Sequence, residues 1–198
     1  TEVGIEVPGR HMVANATGVL AAVWALKLDV AGAALALGRF SGVRRRFDRV
    51  GQVGGVTVVD DYAHHPTEVK ATLEGAREAG YARIWVVFQP HRYSRTEALG
   101  EAFGAAFDNA DHVVLMDVYS AGEAPIPGVS GKTVLDALLL TDARAQAAYF
   151  PHRADIEGYV VSRVRQGDLV MTMGAGDVTT IGSEIVRALE ARTLENSA

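Results

Sequence analysis

Short apolar segments alternate with longer helix-like ones along most of this chain, and that alternation restricts its fold more than any other feature. Ile84–Phe88, His112–Met116, Ala147–Phe150 and Leu169–Met173 are each too short for a stable helix and rich in strand formers. Between them lie helix-like stretches, at Pro66–Ala79, Thr96–Phe107, Val134–Leu140, Ile156–Val164 and Val178–Ala191. Upstream, Phe47–Gln52 and Val56–Asp60 read as two strands joined at Gly54-Gly55. Strands that alternate with helices need crossover connections. The expectation is therefore an α/β, Rossmann-like, mostly parallel sheet with helices on both faces.

The first 40 residues have a different texture. Val3-Gly4-Ile5-Glu6-Val7 alternates like a strand that needs partners, so the chain is expected to begin inside a domain. An Ala-rich helix is expected over His11–Leu28 and a shorter one over Val30–Leu37, ending at Gly38. Arg39–Arg45 reads as a linker. The longest irregular stretch, Tyr119–Lys132, holds Pro125, Pro127 and three glycines. Loops of that length usually serve function or move.

Composition narrows the chemistry. With 48% hydrophobic and 22% charged residues in 198, the chain has enough apolar material for a sizeable core. A net charge of -5 gives no basis for a nucleic-acid partner, and an anionic ligand would need a local arginine cluster. The lack of cysteine excludes disulfides, thiolate metal sites and a cysteine nucleophile. No apolar run is long enough for membrane insertion and no signal peptide is visible, so a cytoplasmic location is expected.

In a parallel sheet of this kind, ligands bind beyond the carboxyl ends of the strands, and the polar clusters fall there. Asp60-Asp61-Tyr62-Ala63-His64-His65-Pro66 follows one strand, and Gln89-Pro90-His91-Arg92-Tyr93-Ser94-Arg95 another. Asp117-Val118-Tyr119 and Gly174-Ala175-Gly176-Asp177 follow two more. His65 before Pro66 suits a helix cap and first turn. Capping leaves two adjacent acids, a tyrosine and a second histidine unexplained. A carboxylate in that place can take ribose hydroxyls, and imidazoles can bind an anion or move a proton. A third metal ligand is not evident in the spacing. Arg92 and Arg95, three apart at a helix start, can lean to one side and receive a carboxylate or phosphate beside free helix N–H groups. A solvated charged turn is the plain alternative.

The Gly174–Asp177 turn lacks the third glycine of a dinucleotide fingerprint, which disfavours a nicotinamide-dependent oxidoreductase. It reads better as a strand-to-helix turn with Asp177 as N-cap. Of the consecutive Arg44, Arg45 and Arg46, one near a domain joint can reach a ligand phosphate. Asn15 on the first helix is either a surface residue or, through its amide, a reader of adenine.

Taken together, the segments PGRHMVAN, FSGVRRRFD, DDYAHHPTEV, FQPHRYSRT, AGEAPIPGVSG and MGAGD resemble the Mur ligase family, which attaches amino acids to the peptidoglycan precursor. They are most similar to the branch that adds L-alanine. The resemblance implies that residues 1–40 are the helical tail of a central ATP-binding domain and residues 41–198 a C-terminal amino-acid-binding domain. It implies an ATP- and Mg2+-dependent ligase joining L-alanine to UDP-N-acetylmuramate through an acyl phosphate, with the missing N-terminal and central domains as partners. The family's phosphate loop and magnesium-binding residues would lie upstream, and this chain alone would be inactive. By the same resemblance Asn15 contacts adenine, Arg46 the phosphates and Asp61 the ribose. Tyr62, His64, Arg92 and Arg95 line the alanine site, the arginines holding its carboxylate. The family's HNxxN pattern is met here by His11-Met12-Val13-Ala14-Asn15, so Met12 replaces the first amide. The competing expectations are a sister ligase that recycles a murein tripeptide and a non-catalytic nucleotide- or amino-acid-binding module.

Overall fold

A computed structural model describes residues 3–5, 9–40, 42–142 and 144–195. Two helices open it, α1 (Arg10–Ala25) and α2 (Val30–Leu37). The strands are β1 (Asp48–Val53), β2 (Val56–Asp61), β3 (Ile84–Phe88), β4 (His112–Met116), β5 (Ala147–Phe150) and β6 (Leu169–Met173). The remaining helices are α3 (Pro66–Glu78), α4 (Tyr93–Leu99), α5 (Gly131–Thr141), α6 (Ile156–Val161) and α7 (Thr179–Glu195).

The six strands form one sheet in the order β1-β2-β6-β3-β4-β5. The β1–β2 pair is an antiparallel hairpin, and every other pairing is parallel. The expected fold class is the observed one. All residues of β2, β3 and β6 are buried, as strands covered on both faces must be. Side-chain alternation splits them between two cores. Ile84, Val86 and Phe88 join Val69, Leu73, Phe103 and Phe107 on one face. Trp85 and Val87 join Ile156, Ile181, Ile185 and Leu189 on the other.

The last strand returns to a central position. β6 pairs with both β2 and β3, with Asp61, Met173 and Phe88 in register at its carboxyl end. The chain order reverses there, and the crevice beyond such a reversal is where open α/β sheets bind ligands.

Several local expectations are corrected. Val3–Ile5 forms no strand, and Glu6 and Val7 lie outside the described residues. The first helix stops at Ala25 because Lys27 takes a positive φ of 59°. The helix expected over Thr96–Phe107 begins earlier, at Tyr93, and breaks into a 3-10 turn at Glu101–Phe103. The segment packs closely against α5 just beyond that turn: a Cβ on Gly104 would lie 2.2 Å from Thr141 Oγ1 and 2.9 Å from Ala137 O. α5 itself starts at Gly131, behind a Ser130 capping box.

Candidate functional site

The polar loops after β2, β3 and β6 gather on one rim, and each is shaped by local chemistry. After β2, Asp61 is 3% exposed, and both its oxygens are engaged by backbone. Its Oδ1 accepts from the Ala63 amide and its Oδ2 from the Phe47 amide, each at 2.8 Å. Burial pushes its carboxyl above the usual range, against the pull of those amides and of Arg46. His65 caps α3 as expected, its ring accepting from the Thr67 amide while Glu68 closes the capping box.

A cavity of about 660 Å³ lies between α1, the arginine linker and the start of α3. Asn15, Arg46 and Asp61 all line it, so the expected nucleotide-contacting side chains share one space. Ile5, Ala16, Val19, Leu37, Phe40 and Val43 give it apolar walls suited to a flat aromatic base. Met12 lines it too, and its sulfur lies 3.9 Å from the Asn15 amide nitrogen. The thioether is thus a weak local acceptor for the asparagine, which stays exposed.

Beside the cavity runs an imidazole–arginine cluster. Tyr62 and His64 meet edge-on at 5.3 Å between centroids, and His64 lies 5.6 Å from the His91 ring. Arg95 Nη1 is 3.3 Å from His91 Nδ1. His91 stacks on Tyr119 at 5.7 Å. Burial first, then the neighbouring His64, Arg95 and Arg92, lower its proton affinity, which favours the neutral ring.

Arg92 and Arg95 do not form one joint receptor here. Arg92 occupies the N-cap of α4 at a positive φ of 72°, held by its amide on Tyr119 O and by Thr96 on its own carbonyl. Its guanidinium pairs with Glu123 at 3.5 Å. Glu123 also accepts from the Ser94 amide and hydroxyl, so that helix N–H is already taken. These bonds hold the carboxyl of Glu123 below its usual range, with Arg92 adding to them. The long irregular loop is thereby pinned to the arginine loop.

Sequence reasoning passed over several contributors. Arg45, left undistinguished within the arginine run, donates to Asp60 at 3.2 Å and to Gly174 O at 2.8 Å, and lies 4.7 Å over the Tyr62 ring. It ties the linker to the glycine turn. Gln89 is 5% exposed and caps α7 in place of Asp177. Its Oε1 accepts from the Val178 amide, and its Nε2 donates to Asp177 Oδ1 at 2.6 Å. Glu68 and Glu123 are the acids that organise the two clusters; the capping-box spacing after His65 points to Glu68, whereas no spacing rule singles out Glu123. Among the described residues no group of three or more histidines and acids is placed to hold a metal ion, and no helix is long and apolar enough to cross a membrane.

Comparison with known proteins places this architecture. A family model described as Mur ligase, glutamate ligase domain, matches residues 45–176. The chain is 48% identical over 188 residues to a UDP-N-acetylmuramate–L-alanine ligase of Desulforamulus reducens, covering 95% of this chain and 40% of that protein. It is 50% identical over 192 residues to its counterpart in Mycolicibacterium vanbaalenii, covering 95% and 39%. The chain thus spans about 40% of the length of these curated relatives. Among solved structures it is similar to the UDP-N-acetylmuramate–alanine ligase of Thermotoga maritima, with a TM-score of 0.79 and 30% identity over 97% of this chain and 40% of the other. A murein peptide ligase of Psychrobacter arcticus follows the same fold at a TM-score of 0.70 and 25% identity, covering 94% and 38%. Family model, curated relatives and fold agree, and the chain belongs to the Mur ligase family.

Proposed function

We propose that this chain is the C-terminal part of a cytoplasmic, ATP-dependent ligase that joins L-alanine to UDP-N-acetylmuramate. Residues 1–40 are the tail of its ATP-binding domain and residues 41–198 its amino-acid-binding domain. The observation that carries this reading is the 48% identity, over 95% of the chain, to a ligase of that name. The murein tripeptide ligase is the second reading, favoured by the Psychrobacter fold, but at lower identity and TM-score than the alanine ligase structure.

The chemistry follows from the weakness of a carboxylate as an acyl donor to an amine. Transfer of the terminal phosphoryl group of ATP to the lactyl carboxylate oxygen releases ADP and leaves an acyl phosphate. The alanine amine attacks the acyl carbon, loses a proton, and expels inorganic phosphate. The cavity lined by Asn15, Arg46 and Asp61 suits the nucleotide: amide toward the base, acid toward the ribose, guanidinium toward the phosphates. Asp61 retains lone pairs beyond those its two amides use. Arg95, joined by Arg92 once the alanine carboxylate displaces Glu123 from it, holds that carboxylate, and Tyr62 and His64 bound its small side chain. Holding both reactants at the sheet edge supplies rate through proximity. The described residues do not form a magnesium site of their own.

The test is phosphate release by the full-length protein with ATP, magnesium, UDP-N-acetylmuramate and L-alanine, run beside the 198-residue chain. Release is expected only from the full-length protein and only with every substrate present. Arg95→Ala is expected to lower kcat/KM for alanine by about 10- to 100-fold, the worth of a charge-assisted carboxylate contact. Arg92→Ala should act in the same direction. Release with a murein tripeptide but not with alanine would transfer the assignment to the recycling ligase.

A further inference from the structure

Glu68 joins the two clusters, and the proposed reaction leaves it nothing to do beyond capping a helix. It is the third residue of α3. Its Oε2 accepts from the amides of His64 at 3.2 Å and His65 at 3.3 Å, and lies 3.7 Å from His64 Nδ1. Its Oε1 is 3.7 Å from Arg46 Nη1. Arg46 lines the cavity, while the His64 ring reaches His91 in the imidazole–arginine cluster.

We infer that Glu68 is a positioning residue that couples occupancy of the nucleotide cavity to the arrangement of the amino-acid cluster, through the chain Arg46–Glu68–His64. The inference rests on the ligase reading of the two sites. Both side-chain contacts, at 3.7 Å, are longer than a committed hydrogen bond, so the carboxylate is shared between Arg46 and the His64 ring rather than fixed to one. A nucleotide phosphate in the cavity competes for Arg46, whose side chain is 46% exposed and free to turn. When Arg46 leaves, Glu68 keeps its charge, because two amides still hold it. Its remaining side-chain partner is then His64. The imidazole Nδ1, now shared with Tyr62 O at 2.9 Å, is drawn toward the carboxylate, and the ring edge facing His91 is fixed with it. By linkage, an amino acid that prefers the fixed ring strengthens nucleotide binding by the same factor.

A capping role alone predicts something different. Glutamine also serves at this position of a capping box, so Glu68→Gln keeps an acceptor for the helix start and removes only the charge. In the full-length ligase, with UDP-N-acetylmuramate present throughout, the affinity for L-alanine is measured by calorimetry with and without a non-hydrolysable ATP analogue. The unaltered protein should bind alanine more tightly with the nucleotide. Glu68→Gln should cut that gain by about 2- to 5-fold, the range of a part-exposed ion pair, while thermal unfolding stays close to that of the unaltered protein. In an Arg46→Ala background the same change should have no further effect on the gain. An undiminished gain in Glu68→Gln, an equal loss in both backgrounds, or no nucleotide effect in the unaltered protein would each overturn the inference while alanine-dependent turnover left the ligase reading standing. Loss of that turnover in the unaltered protein would remove both.

Discussion

At the residue scale, the candidate site is built from side chains that both hold the backbone and line the cavity. Asp61 shows the compromise most clearly. It turns the linker by accepting from Phe47, which sits at a positive φ of 50°, and it lines the cavity proposed for the nucleotide. Asp61→Asn keeps one acceptor oxygen, but its NH2 cannot accept from the second amide. An unmet buried amide costs about 1–3 kcal/mol, part of which is offset by removing a poorly solvated charge. We therefore expect a net loss of about 1 kcal/mol by chemical denaturation, with weaker nucleotide binding. The pH dependence has a definite sign. The folded-state affinity of Asp61 for its proton is raised, so the penalty of its charge is fully present at neutral pH. It is relieved as pH falls through the raised value toward the ordinary aspartate range. The stability advantage of the unaltered protein over Asp61→Asn should widen across that window; a constant gap would show that Asp61 does not titrate there.

At the element scale, the carboxyl end of β6 is where three elements approach too closely for side chains. A Cβ on Gly176 would lie 2.3 Å from Gln89 Oε1 and 2.6 Å from Tyr119 Cγ. Gly176→Ala must displace the residue that caps α7 and the ring that stacks on His91. A loss of about 1–3 kcal/mol is expected, as for other overpacked sites, together with reduced turnover. Gly158 in α6 is the control: a Cβ there would meet nothing within 4 Å, and its φ is ordinary. Gly158→Ala should stabilise by about 0.5–1 kcal/mol through helix propensity alone. Thermal melts of the two variants, moving in opposite directions, check both statements.

At the scale of the whole molecule, the sheet buries its apolar surface thoroughly, whereas α1 and α2 do not. Trp24 is 74% exposed, Leu26 70%, Leu28 60% and Leu35 68%, all on or beside these two helices. Clustered exposed apolar side chains favour self-association. Light scattering of the 198-residue chain should show association that rises with concentration. Trp24→Lys with Leu35→Lys should suppress it while shifting stability by no more than about 0.5 kcal/mol, as surface substitutions do.

How far the sequence reached depended on whether the signal was local. Strand segments such as Ile84–Phe88 and Leu169–Met173 were legible residue for residue, because an apolar run of that length between turn signals leaves few alternatives. The His65 cap with Pro66 was legible for the same reason, since both act within one turn. The polar loops could be placed at strand ends, and so on one rim, from the βα alternation alone. What needed the tertiary structure was every pairing across long separations. Gln89 caps a helix that starts 90 residues later, and Arg45 bonds to Gly174, 129 positions away. Arg92 and Arg95 share a helix start, yet Glu123 and His91 draw them to different partners. Local chemistry is written in neighbouring residues, so the sequence by itself determined most of the elements, the fold class and the edge of the sheet where the candidate site gathers. Which acid meets which base depends on the strand order, in which β6 returns between β2 and β3, and that order is set by burial of the whole sheet rather than by any one segment.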